Sequence, residues 1–270
     1  MRAGRRRQGE DEIASIGMCL GAAMAGARAM TATSGPGISL YSENVGLAIM
    51  GEIPLVIVDA QRLGPATGGA TTVAQGDVQF VRWGTSGGYP IIALAPSSIP
   101  ECYTLTLRAF DLAERFRTPV FLVTDKELNL TSNTVAVDGY ARVPVRERAT
   151  SGDGERPYSY EPADGVPPLW EYGGDRLVRL TGSTHDEAAF LTKRPATVAA
   201  LNEHLRAKIE EHRDEIEFVD VDAEDGATTL LVSYGVTAGA MREAVRRARG
   251  EGLRVAAATV QSLWPVPETA

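Results

Sequence analysis

Cysteine is almost absent from this chain, with 2 among 270 residues, Cys19 and Cys102, and no CxxC pair. That scarcity excludes a disulfide scaffold and a four-thiolate iron–sulfur cluster held by this chain alone. Both cysteines stand in apolar, helix-patterned surroundings, where an inert buried thiol is expected. No apolar run approaches the roughly 18 residues of a membrane span, so no membrane partner is expected. A basic excess is missing too. The chain has 27 Lys and Arg against 35 Asp and Glu, a net charge of −8, which argues against nucleic acid as a partner. GxGxxG, GxxxxGK[ST] and HExxH do not occur, so Rossmann, P-loop and zincin chemistry have no sequence support.

What is present is a soluble composition, 44% hydrophobic and 23% charged, able to build a sizeable core in one large domain or two ordinary ones. The N-terminal MRAGRRR is basic but runs into QGEDE, without the apolar stretch of a signal peptide. It reads as a disordered leader on a cytoplasmic protein. Glu10 to Arg28 reads as a helix rich in Gly and Ala. The most informative stretch is Thr31 to Gly68: a strand ending at Thr33, the turn Ser34-Gly35-Pro36-Gly37, an apolar-faced helix, the buried strand Pro54–Ala60, and a glycine-rich loop. Ligands of open α/β sheets sit at the C-terminal strand edge, where this turn and this loop lie. A generic doubly wound domain with glycine-shaped turns explains the same pattern.

Further strands are expected at Tyr89–Ala95 and Pro119–Asp125, with a helix from Pro100 to Phe116 capped by Ser97 or Ser98. This β–α alternation predicts a doubly wound parallel sheet. From Arg142 to Gly174 the chain is rich in charge, Pro and Gly, an irregular excursion with Tyr158, Tyr160, Trp170 and Tyr172 as anchors. Arg194 to Glu215 reads as a solvated connector helix, on which His204 and His212 have no partner pattern. Thr228–Gly235 and Leu253–Val260, with a helix between them, start a second α/β unit whose two strands cannot close a core.

Few residues could carry chemistry. Glu10 is either a solvated helix-start acid or a catalyst. Arg62, after a buried strand, either binds a carboxylate bidentately or forms a loop ion pair. His185-Asp186-Glu187 reads as a turn, since adjacent residues rarely face one metal.

The block QGEDEIASIGMCLGAAMAGARAMTATSGPGISLYSENVGLAIMGEIPLVIVDAQRLGPATG, with the later TGSTHDE and TTLLVSYG…LWPVPE, resembles the α subunit of the 2-oxoacid:ferredoxin oxidoreductases, particularly the 2-oxoglutarate type. The resemblance implies a thiamine diphosphate enzyme. Residues 8–135 would be its pyrimidine-binding domain lacking a first strand and helix, 136–222 a linker and connector helix, and 223–270 a partial transketolase C-terminal-like domain. It implies Glu10 as the carboxylate on the aminopyrimidine, Arg62 as the substrate-carboxylate arginine, and Ser34 and Gly35 as lining residues. It further implies a β subunit carrying the diphosphate, Mg and iron–sulfur clusters, with ferredoxin and coenzyme A as further partners of the 2-oxoacid reaction. A non-catalytic assembly module derived from such a subunit, and another thiamine-dependent family, are the alternatives.

Overall fold

The structure is a computed structural model that describes residues 5–136, 145–150 and 156–268. Met1–Gly4 of the expected leader, and residues 142–144 and 151–155 of the expected excursion, lie outside the described residues.

Capping chemistry fixes the first helix. Asp11 is extended and its carboxylate accepts from the Ala14 N–H at 2.7 Å, so α1 runs Glu12–Met24, shorter at both ends than the pattern suggests. Ile16, Leu20, Ala23 and Met24 form its buried stripe. There follow β1 (Met30–Thr33), a one-turn α2 (Gly37–Leu40), α3 (Ser42–Met50), β2 (Leu55–Gln61), α4 (Val78–Trp83), β3 (Ile92–Leu94), α5 (Ile99–Phe116), β4 (Pro119–Asp125) and α6 (Lys126–Leu130). Ser98 caps α5, its hydroxyl accepting from the Glu101 N–H. After the excursion come α7 (Pro195–Glu210), α8 (Arg213–Ile216), β5 (Val219–Asp222), β6 (Thr229–Tyr234), α9 (Thr237–Gly250), β7 (Val255–Val260) and β8 (Ser262–Trp264).

The first sheet has the order β1-β2-β4-β3-β8, parallel except for β8. Its two central strands are apolar and buried on both faces, as parallel strands under two helical layers must be. One layer packs Ile16, Leu20, Ile38, Val45 and Ile49 on Leu55, Ile57 and Phe121. The other packs Leu105, Ala109, Leu112 and Phe116 on Val56, Val120 and Leu122, with Ile209 and Ile216. The fold is thus the doubly wound α/β class.

The second unit has three strands rather than two, ordered β5-β7-β6, with α9 on one face through Met241 and Val245. Val221, Leu230 and Val232 remain more than half exposed on the other face. It is tied to the first sheet by Arg242, which donates to Ser97 Oγ at 2.6 Å, and by the Val236 N–H on Asp125 Oδ2 at 3.3 Å.

The connector helix departs most from expectation. α7 is no solvated rod: Leu201, His204, Leu205 and Lys208 are all buried. His204 does have a partner. Glu52, buried in the turn after α3, accepts from His204 Nε2 at 3.0 Å and Lys208 Nζ at 2.7 Å. His204 Nδ1 meets the Ala163 carbonyl at 2.8 Å. Tyr160 stacks on that ring with centroids 3.8 Å apart. Arg117 ends α5 in the left-handed region (φ 44°) and aims its guanidinium at the carbonyls of Glu52, Pro167 and Pro168. Tyr158 is also an anchor, buried with its hydroxyl on the Gly51 carbonyl. These contacts fasten the excursion to the N-terminal end of the sheet. His204 and Lys208 read as solvent-facing because their partner, Glu52, is about 150 residues away in the chain.

Cys19 and Cys102 are only partly buried. Desolvation still raises both thiols, Cys102 to about 11, so thiolate chemistry is disfavoured at each.

Candidate functional site at the C-terminal strand edge

The parallel register brings Thr33, Asp59 and Gln61, and Asp125 to one edge, since Thr33 pairs with Asp59 and Gln61 with Asp125. The turn from Ser34 to Gly37 leaves this edge from β1, and the loop from Arg62 to Asp77 leaves it from β2.

Ser34, Gly35 and Arg62 are brought together there. Ser34 Oγ donates to the Ala60 carbonyl at 2.7 Å, pinning the turn to β2. Gly35 has φ 58°, and a β-carbon on it would lie 2.5 Å from Arg62 Nε and 2.8 Å from Arg62 Cγ. The arginine stem therefore crosses a site that only glycine leaves open. The next glycine, Gly37, is equally confined: a β-carbon there would collide with the Thr33 hydroxyl and fall 2.8 Å from Glu12 Oε1.

Glu10 is exposed and precedes the Asp11 cap. The carboxylate that reaches the turn is that of Glu12, in the first turn of α1.

The polar groups of this edge are undersatisfied. Among the described residues, eight buried side-chain polar atoms lack a hydrogen-bond partner, and five of them belong to Asp59 (both oxygens), Gln61, Arg62 and Gln75. Buried polar groups are normally paired, so this concentration fits a polar ligand or partner group at the edge. Asp59 went unnoticed in the sequence, although it is the one acid in the apolar run PLVIVDA. Burial, and next the charge of Asp77, push its carboxyl up to about 8. Asp77 is itself raised by burial, against the lowering effect of the Arg62 N–H and charge.

His185 lies in a loop, bridged to Leu191. Its ring nitrogens meet the carbonyls of Asp186 and Met50, and Asp186 Oδ1 accepts from the Ala188 and Phe190 N–H groups. No group of three His, Cys, Asp or Glu side chains among the described residues could hold a metal ion. A cleft of about 1250 Å³ lies beside the outer edge of β1, lined by Arg28, Met30, Arg148 and Glu171 among others. It is separate from the undersatisfied edge.

Comparison with known proteins gives consistent results. The family profile described as pyruvate flavodoxin/ferredoxin oxidoreductase, thiamine diP-bdg matches residues 2–199. The 2-oxoglutarate synthase subunit KorA of Methanothermobacter thermautotrophicus is 40% identical over 97% of this chain and 70% of its own length. That of Methanothermobacter marburgensis is 41% identical with the same coverage. Among solved structures, 2-oxoglutarate:ferredoxin oxidoreductase from Magnetococcus marinus, with 2-oxoglutarate, coenzyme A and succinyl-CoA bound, matches with a TM-score of 0.91 at 33% identity. The match covers 98% of this chain and 47% of that one, so the present chain spans about half of the solved one.

Proposed function

Because this chain belongs to the pyruvate flavodoxin/ferredoxin oxidoreductase family, in its thiamine diphosphate-binding part, we propose that it is the α subunit of a thiamine diphosphate-dependent 2-oxoacid:ferredoxin oxidoreductase. The substrate would be 2-oxoglutarate, converted to its acyl-CoA with loss of CO2 and reduction of ferredoxin. Similarity to 2-oxoglutarate synthase subunits, and to a solved oxidoreductase with 2-oxoglutarate bound, supports that choice of substrate. A β subunit would hold the diphosphate, the magnesium and the iron–sulfur clusters. Residues 8–135, 136–222 and 223–270 would serve as pyrimidine domain, linker with connector helix, and C-terminal-like domain.

The observation that carries this reading is the undersatisfied edge around Arg62. Its residues fit the pyrimidine end of thiamine diphosphate and a 2-oxoacid. An acid in the first turn of α1, two glycines without room for a side chain, and a guanidinium across one of them make a shallow polar cradle. When bound, thiamine diphosphate supplies a carbon centre that adds to the 2-oxo carbon and stores the electrons released with CO2. This chain's residues bind and orient. A glutamic acid at the α1 start keeps a proton on the ring nitrogen of the aminopyrimidine. Similarity to the family gives that role to Glu10, exposed at the helix start, and Glu12 Oε1, beside Gly37, is the neighbouring acid. Arg62 takes the 1-carboxylate in a two-pronged contact. Ser34 and Gly35 hold the turn open beneath it.

The test is reconstitution with the β subunit, followed by viologen-dye reduction with coenzyme A and a panel of 2-oxoglutarate, pyruvate and 2-oxoisovalerate. Reduction with 2-oxoglutarate alone supports the full reading. Reduction with another member of the panel overturns the substrate and keeps the reaction. A stable complex inactive with all three, yet loaded with thiamine diphosphate, refutes the catalytic reading.

A further inference from the structure

Asp59 is fully buried, and neither of its carboxyl oxygens has a hydrogen-bond partner. Strand alternation puts it on the same face as Leu55 and Ile57, toward the α1–α3 layer. Thr33 is its neighbour on β1 and uncharged Val123 its neighbour on β4. On the helical side the ionisable groups are Tyr41, Cys19 and Glu12, and the tyrosine feels the charges of Cys19, Glu12 and Asp59. From the loop, the charge that acts on Asp59 most is that of Asp77.

Asp77 has a second contact. Its Oδ2 accepts from the backbone N–H of Arg62 at 3.4 Å, joining the two ends of the 62–77 loop. Inside that loop the Leu63 N–H donates to the Thr72 carbonyl and the Gly69 N–H to the Leu63 carbonyl, each at 3.0 Å. The loop is therefore one closed unit whose clasp is a single long hydrogen bond. That clasp holds the backbone of the arginine that lies across Gly35. Two ionised carboxylates in this desolvated spot would repel each other.

We propose that Asp59 is a positioning residue for Arg62: as a neutral acid it lets Asp77 stay at the sheet edge and clasp the arginine backbone, and its ionisation opens the clasp. Only a proton is exchanged with solvent. The proposal rests on the reading of Arg62 as the group that meets the ligand carboxylate, and the test separates the two.

Hydrogen exchange of the full chain, corrected for intrinsic rates, reads the clasp directly. Between about pH 7 and about pH 9, opening of the 62–77 amides relative to those of β4 should rise about ten-fold in the wild type, following one ionisation near 8. Asp59→Asn, which stays neutral, should keep the loop closed throughout. Asp77→Asn should do the same, because its amide oxygen still accepts from Arg62 and the repulsion is gone. A parallel rise in wild type and both variants overturns the proposal, as does a flat wild type. In the reconstituted enzyme, KM for the 2-oxoacid should rise over the same window with kcat unchanged, and Asp59→Asn should abolish the rise. Equal KM profiles in wild type and Asp59→Asn overturn the positioning role. An enzyme that turns over no 2-oxoacid at any pH refutes the functional reading instead, and exchange still decides the clasp.

Discussion

Replacing Glu52 with glutamine tests the physics of the buried cluster that fastens α7 and the excursion to the sheet. Glu52 is fully buried, and its Oε2 takes hydrogen bonds from both Lys208 and His204, while its carbonyl takes one from Arg117. Burial by itself raises the carboxyl, but Lys208, then His204 and Arg117, outweigh it and hold the group well below the usual carboxylate range. Glutamine keeps the size and loses the charge, leaving buried cations uncompensated. Breaking a buried pair in this way costs about 3–5 kcal/mol. For a chain of this size that corresponds to a fall of roughly 6–20 °C in Tm. The assay is urea unfolding followed by circular dichroism, with a lower midpoint and an unchanged slope. Adding Lys208→Met to the glutamine variant should recover part of the loss, because the two residues share one interaction. The pH dependence has a defined sign. A carboxyl depressed in the folded state contributes its stability fully above the ordinary glutamate range, about 4.3, and loses it as the pH falls toward the depressed value. A loss below about 1 kcal/mol, the scale of exposed pairs, would refute the reasoning.

Other expectations follow from single contacts. Arg62→Lys should raise KM for the 2-oxoacid about ten-fold or more with a smaller change in kcat, since an ammonium cannot make the two-pronged contact; steady-state kinetics of the reconstituted enzyme decide this. Ser98→Ala removes the α5 cap and should cost about 1 kcal/mol in urea unfolding. Asp59 carries the opposite sign from Glu52. Its carboxyl is raised in the folded chain, so the wild type should lose stability relative to Asp59→Asn as the pH climbs from the ordinary aspartate range to about 8. Thermal melts across that window measure the difference.

What the sequence made legible was local. The apolar run Leu55–Gln61, the Ser98 cap and the glycine turn before α2 each carry their structure in neighbouring residues, and the sheet class follows from their alternation. The Ser34–Gly35–Arg62 neighbourhood was also accessible, because two loops leaving adjacent parallel strands meet at one edge. What escaped was set by distant partners. The helix bearing His204 and Lys208 reads as solvated until Glu52 is brought against it. The antiparallel strand Ser262–Trp264 joins the first sheet rather than the second unit, pairing with β3 about 170 residues earlier.

The central claim is that this chain lends a carboxylic acid to thiamine diphosphate chemistry. Its most direct test is 2-oxoacid- and coenzyme A-dependent viologen reduction by the reconstituted enzyme, comparing wild type, Glu10→Gln and Glu12→Gln at equal thiamine diphosphate loading. The account predicts that Glu10→Gln loses about two to four orders of magnitude in kcat, the scale of a positioned acid–base group, while Glu12→Gln loses less. Full activity in both variants would contradict the claim, and loss confined to Glu12→Gln would move the role to the acid in the first turn of α1.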